Sequence, residues 1–178
     1  AAGISVSSKQ VGGDYYDFIR EGTNLAFAVA DVSGKGVPAS ILMASLQASL
    51  RSLMDRMDDP VAVMSRLNDV MCDLTSPDKF ATMFYGCLDL RKHEIRYSNA
   101  GHFFPVILRE DGTVEELEYS GLILGVAPGF PYESRKARLN PGDAIIVTTD
   151  GVTEAENSMG ELYGEERLHP FLASIRGY

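Results

Sequence analysis

An α+β layered fold, with sheets flanked by helices, is what this 178-residue sequence predicts. Three observations carry that reading. A short apolar run near the N-terminus leads into two stretches of helical periodicity, and from Phe80 onward the texture turns strand-like. Helices grouped after an early strand and followed by many strands are unlike alternating βαβ units. No repeat or Ser/Gly linker interrupts the chain, and 45% hydrophobic residues are enough for one substantial core, so residues 1–178 are read as one domain.

Residues 25–30 form a buried-strand candidate that delivers the chain to Asp31 and to the turn Ser33-Gly34-Lys35-Gly36. A helix is predicted next, because Ile41, Leu42, Ser45, Leu46, Leu50, Leu53, Met54 and Met57 keep mostly to one helical face and Pro38 is tolerated in a first turn. Asp59 and Pro60 read as an N-cap and first-turn proline. Val63, Met64, Leu67, Val70, Met71 and Leu74 then supply the period of a second helix. Strands are predicted over 82–88, 95–98, 103–108, 114–119 and 144–149, with turns at 91–93, 111–112 and 140–143. Their closeness in sequence favours antiparallel pairing.

A net charge of −9 repels a nucleic-acid backbone or an anionic membrane surface, so neither is an expected partner. Cys72 and Cys87 sit inside apolar runs and read as reduced core residues, which suits a cytoplasmic protein. No stretch approaches the roughly 18 apolar residues of a membrane span, and residues 1–10 lack a signal pattern, so no direct membrane insertion is expected. Starting at Ala1 without methionine, the chain is expected to be a piece of a longer protein.

Three acids share one context. Asp14 follows Gly12-Gly13, Asp31 follows the 25–30 run, and Asp150 follows the 144–149 run and precedes Gly151. An Asp beside Gly is ordinary turn chemistry, so each alone could simply start a turn. Converging strand ends would instead bring the carboxylates together. Each close pair would then repel by roughly 4 kcal/mol at about 4 Å in an effective dielectric of about 20, which a bound cation would offset. All-oxygen ligands point to magnesium or manganese, since His93, His102, His169 and the cysteines lack zinc-ligand spacing.

The motifs Gly12-Gly13-Asp14-Tyr15-Tyr16-Asp17-Phe18, Ala30-Asp31-Val32-Ser33-Gly34-Lys35-Gly36-Val37-Pro38-Ala39, Asn99-Ala100-Gly101-His102 and Thr149-Asp150-Gly151-Val152-Thr153-Glu154-Ala155 occur in this order. In order and spacing the chain resembles the PPM (PP2C-like) metal-dependent protein phosphatases, in the bacterial SpoIIE/RsbU-type branch, from about residue 10 to about residue 168. The resemblance implies a PP2C-like β-sandwich flanked by helices in α-β-β-α layers, two Mn2+ or Mg2+ ions, and hydrolysis of phosphoserine or phosphothreonine. It implies that Asp31 bridges both ions, that Asp14 and the Val32 main-chain carbonyl contribute, and that Asp150 holds the other ion. The catalytic candidates are thus Asp31, Asp14 and Asp150, acting through metal-activated water. The substrate implied is a small phosphorylated STAS-type protein, with activity governed by a regulatory sensor domain or activator protein.

The branch normally adds an acidic pair near its last strand, and none occurs before Tyr178. Either the chain continues, or a metal site is incomplete and the domain binds a phosphoprotein without cleaving it. His102 either touches an outer metal, water or phosphate, or is a hydrogen-bonded strand histidine that shapes the site. Glu154, four residues past Asp150, either joins the metal surroundings or is an exposed glutamate at a helix start. Lys9 and Lys35 are the nearest basic candidates for substrate phosphate, each also readable as a solvated lysine. Gly12-Gly13-Asp14 also has a likeness to the Gly-Gly-Asp/Glu-Glu-Phe signature of diguanylate cyclases, but Tyr15 and Tyr16 replace its Glu-Phe.

Overall fold

Two antiparallel strands open the fold, β1 (Asp14–Glu21) and β2 (Asn24–Val32). This computed structural model describes residues 1–6, 12–75, 78–103 and 105–175. After β2 come helix α1 (Val37–Ser52), a 3-10 turn (Met54–Arg56) and helix α2 (Pro60–Leu74). The predicted cap of the second helix forms, with the Asp59 side chain accepting from the Ala62 N–H at 3.1 Å and Pro60 opening the first turn. Strands β3 (Ala81–Asp89), β4 (Glu94–Ala100), β5 (Val106–Leu108), β6 (Val114–Glu116), β7 (Arg135–Arg138) and β8 (Ala144–Ile146) follow, and helix α3 (Glu165–Ser174) comes last.

Strand pairing gives a five-stranded sheet in the order β1-β2-β3-β4-β7 and a three-stranded sheet in the order β6-β5-β8, both antiparallel. Alternation along β2 and β3 sends the two faces of the larger sheet into different cores. Ala26, Ala28, Ala30, Val32, Met83 and Tyr85 pack with Leu46, Leu50, Met64 and Leu67 of the two helices. Phe27 and Phe84 point the other way, into a second core shared with Ile107 of the smaller sheet. A third cluster joins Val106 and Ile146 to Leu168 and Leu172 of α3. The layers are therefore α1 and α2, five-stranded sheet, three-stranded sheet, α3, which is the predicted α-β-β-α order. Each large aliphatic side chain taken from water contributes about 1.5–3 kcal/mol, so the apolar stripes of α1 and α2 hold the first two layers together.

Several elements depart from the prediction. β1 and β7 were not predicted, because Asp14, Asp17, Arg20 and Glu21 in one and Arg135, Lys136 and Arg138 in the other break any apolar alternation. α3 was hidden by four charged or His residues and an internal Pro170. β5, β6 and β8 are shorter than expected, and the chain leaves the ladder after Ile146. Ile41, assigned to the apolar face of the first helix, is 61% exposed. Cys72 and Cys87 are both free thiols, and burial pushes Cys87 up to about 11.

Candidate metal-dependent phosphatase site

Hairpin register decides the site. Asp14 stands directly opposite Asp31 in the β1–β2 ladder, a position in which Cβ atoms lie about 4.5–5.5 Å apart. Their neighbours Tyr15, Ala30 and Val32 belong to the helix-side core, so by alternation both aspartates sit on the sheet face that looks toward the sandwich. Asp150 arrives from the opposite layer: Val147 still packs in the sandwich core, and the next three residues carry the chain to the acids.

The electrostatics confirm the convergence. Asp14 is raised above the ordinary carboxylate value by burial and then by Asp150, while a hydrogen bond with the Thr149 side chain works the other way. Asp31 is raised to about 6, first by burial and then by Asp14, Asp150 and Glu154, with Lys35 opposing. Four acids therefore share one field. Glu154 is held one turn beyond Asp150, where its N–H donates to the Asp150 carbonyl at 2.8 Å, and both side chains are exposed.

Close approach of the two strands at this point needs a glycine. A Cβ on Gly13 would lie 2.5 Å from the Val32 carbonyl oxygen and 3.3 Å from an Asp31 carboxylate oxygen. The Val32 N–H donates to the Gly13 carbonyl at 3.3 Å. Beyond Val32 the turn is pinned to the start of β3, since the Ser33 N–H donates to the Phe80 carbonyl at 2.8 Å and the Phe80 N–H donates to Ser33 Oγ at 3.0 Å. Lys35 lies exposed on that turn.

Oxygen donors in this number, repelling one another, fit a hard divalent cation in kind. In spacing they are open: among the described residues no group of three or more His, Cys, Asp or Glu is drawn close enough to hold a metal ion as it stands. His102 is brought to the same end of the sandwich but lies inside it, 1% exposed, with Nδ1 2.9 Å from Thr82 Oγ1. Lys9 lies outside the described residues. Thr149 opens a motif the sequence shows but was given no role there, and sequence reasoning missed Thr82 and Lys79, whose Nζ lies 3.7 Å from where a Cβ on Gly34 would be. A hydroxyl or lysine with no motif of its own leaves no signal until the strands are paired. The cavity lined by Asn24, Asp89, Lys92 and Lys136 lies at the far end of the β2–β3 ladder and plays no part here.

A four-layered sandwich, with acids from the β1–β2 hairpin met by an acid from the segment that follows β8, matches the PP2C-like class. The family model for Stage II sporulation protein E (SpoIIE) matches residues 21–177, and the chain belongs to that family. It is 36% identical over 162 residues to the phosphoserine phosphatase RsbU of Bacillus subtilis (strain 168), covering 89% of this chain and 48% of that protein. The crystal structure of the RsbU and RsbW domains of Rv1364c from Mycobacterium tuberculosis superposes with a TM-score of 0.80 at 31% identity, over 97% of this chain and 49% of that one. RsbX in complex with magnesium shares the fold at a TM-score of 0.69 and 19% identity, over 94% of this chain and 81% of that one. The chain thus spans about half the length of the curated relative RsbU.

Proposed function

We propose that this chain is a single catalytic domain that hydrolyses phosphoserine or phosphothreonine on a small regulatory protein, using two divalent cations, Mn2+ or Mg2+. The observation that carries the reading is the pairing of Asp14 with Asp31 across one hairpin while Asp150 comes in from the other sheet. Asp31, Asp14, Asp150 and the Val32 carbonyl would hold the ions. When bound, such cations lower the pKa of a water and neutralise charge on phosphoryl oxygens. The protein's own part is to hold Asp14 and Asp31 on paired strands, and the exposed Lys35 and Glu154, both of which act on Asp31, would meet a docking phosphoprotein. Likeness to the phosphoserine phosphatase RsbU supports the substrate class, and a phosphorylated STAS-type protein is the substrate we favour.

The test is phosphate release from a phosphorylated STAS-type protein with manganese or magnesium supplied, and again after exhaustive chelation. Full turnover without metal overturns the reading. The open spacing of the acids favours a second reading, a phosphoprotein-binding module without turnover, and binding without phosphate release at saturating manganese would select it.

Regulation by a neighbouring domain or activator protein would act through α1, one end of which is joined to the chain just before β1 and the other to β1 itself. Ser40 Oγ donates to the Gly12 carbonyl at 3.1 Å, and Arg51 Nε donates to Asp17 at 2.6 Å. A shift of α1 would therefore move Asp14 and Asp31 together or apart, and ligands about 1 Å out of place can cost roughly a hundredfold in rate. Manganese titration of this chain alone and of the activated full-length protein tests this, and equal affinity with equal turnover would refute it. Among the described residues no helix is long and apolar enough to cross a membrane, and a cytoplasmic location is proposed with the rest.

A further inference from the structure

The Asn99-Ala100-Gly101-His102 motif contributes none of the acids, yet its local structure is built around one side chain. The Asn99 side chain accepts from the His102 N–H at 2.8 Å and donates to the His102 carbonyl at 3.2 Å, closing a tight loop at the end of β4. Gly101 sits at φ +65°, in the left-handed region, and a Cβ there would lie 2.5 Å from Ile123 Cγ2. Asn99 is itself anchored, its N–H donating to Ser120 Oγ at 2.7 Å. All of this drives the imidazole inward.

Inside, the ring spans the two layers that meet at the acids. Nδ1 is 2.9 Å from Thr82 Oγ1, and Thr82 is the residue opposite Asp31 in the β2–β3 ladder. On the other side the imidazole feels the Thr148 main chain, two residues before Asp150. Nε2 has no hydrogen-bond partner, and Thr148 Oγ1 is likewise buried without one. Buried polar atoms are normally paired, so two unpaired ones at one seam mark a joint between layers rather than finished packing. Burial holds the ring neutral, with its pKa lowered to about 4. One nitrogen then carries the proton and the other a lone pair, so Nδ1 pairs with the Thr82 hydroxyl while Nε2 keeps a hydrogen-bonding site to spare beside the Thr148 main chain.

We propose that His102 is a positioning residue, a brace between the Asp31–Thr82 strand pair of one sheet and the Thr148–Asp150 segment that follows the other, and that it so sets the spacing of the acids. This rests on the metal-dependent phosphatase reading, but it assigns His102 no contact with metal, water or phosphate.

The experiment compares Thr82→Val, Thr148→Val, His102→Asn and His102→Leu in the intact protein. It measures manganese affinity by calorimetry, kcat and KM on p-nitrophenyl phosphate, and the melting midpoint. His102→Leu is expected to lower manganese affinity and kcat by about 10- to 100-fold while KM stays within about twofold, the range seen when a group supporting a metal ligand is lost. Thr82→Val is expected to lose affinity and kcat in the same direction. His102→Asn, which still reaches toward Thr82, should fall between parent and His102→Leu, and Thr82→Val with His102→Leu should be no worse than His102→Leu alone. A rise in KM with unchanged manganese affinity would mean direct phosphate contact and overturn the brace. So would a lower melting midpoint with affinity and kcat held within about twofold. If His102→Leu does not fold, Thr82→Val decides. A parent that binds manganese but releases no phosphate overturns the phosphatase reading while the affinity measurements still judge the brace, and a parent that binds no manganese overturns both.

Discussion

Asp17 and Asp31 lie on opposite faces of the same sheet, and their surroundings differ in one respect. Asp17 faces the helices, is 8% exposed, and is fully provided for: Arg51 Nε donates to it at 2.6 Å, a second Arg51 nitrogen pairs with its other oxygen, and the Tyr15 hydroxyl donates at 2.7 Å. Burial works to raise its pKa, but Arg51, Tyr15 and the Phe18 N–H outweigh it and the net shift is downward. Asp31 faces the sandwich and is raised to about 6, first by burial and then by Asp14, Asp150 and Glu154, with only Lys35 opposing. A buried carboxylate that serves the scaffold receives its cation from the chain itself, whereas one surrounded by its own kind is poised for a cation from outside.

The contrast is broken most directly by neutralising each acid in turn. Asp31→Asn and Asp150→Asn are each expected to reduce metal-dependent turnover by at least about a hundredfold, the scale of a lost metal-activated step, without lowering the melting midpoint. Near-parent turnover in Asp31→Asn would refute the assignment.

A metal titration sharpens it next. Manganese at about 100 times its dissociation constant should stabilise the parent by about 2.7 kcal/mol, read as a raised melting midpoint, and should not stabilise Asp31→Asn to the same extent. Equal stabilisation of both would put the metal elsewhere.

Asp17→Asn should behave the opposite way. The amide keeps one acceptor oxygen: with that oxygen on Arg51 Nε and the Tyr15 hydroxyl, its NH2 group faces the second Arg51 nitrogen and the Phe18 N–H, and donors left without an acceptor cost about 1–3 kcal/mol. Denaturant unfolding is the measurement, and unchanged stability would show the tether to be idle.

The smallest expected effect is on pH dependence. Because the Asp17 pKa is depressed by folding, its contribution is present above the ordinary carboxylate value near 4 and is lost as pH falls through the lower folded value. Asp31 in chelated protein runs the other way: raised to about 6, it binds a proton in the folded state first, so its contribution is present at low pH and lost as pH rises from about 4 to about 6. Stability curves of Asp17→Asn and Asp31→Asn, measured in chelator, should diverge from the parent on these separate limbs, and a shared limb would show the two sites to be alike.

How much of this was legible follows from how local each signal is. The cap at Asp59 and Pro60 needs only adjacent residues, so it was read correctly. The strand ending at Asp31 was found because its apolar run is buried on both faces, by helices on one and Phe84 on the other. β1 was missed although it carries Asp14, because Asp17 interrupts its pattern and the Arg51 that makes Asp17 tolerable is 34 residues away. β7 and α3 form on the edge and outer layer, where charged side chains remain in water and no apolar period is needed.

By itself the sequence determined which chemistry was available: carboxylates beside glycines or at the ends of apolar runs, no zinc-ligand spacing, a turn and helix after Asp31, and a capped helix after Asp59. Register, layer and partner were decided only by the tertiary structure. A one-residue slip of β1 against β2 would send Asp14 to the helix face and leave its composition unchanged, because side chains alternate with a period of two. The burial and repulsion that raise Asp31, the contact of His102 with Thr82 and the pairing of Asp17 with Arg51 all join residues far apart in the chain, and such energies exist only once the helices and sheets have packed.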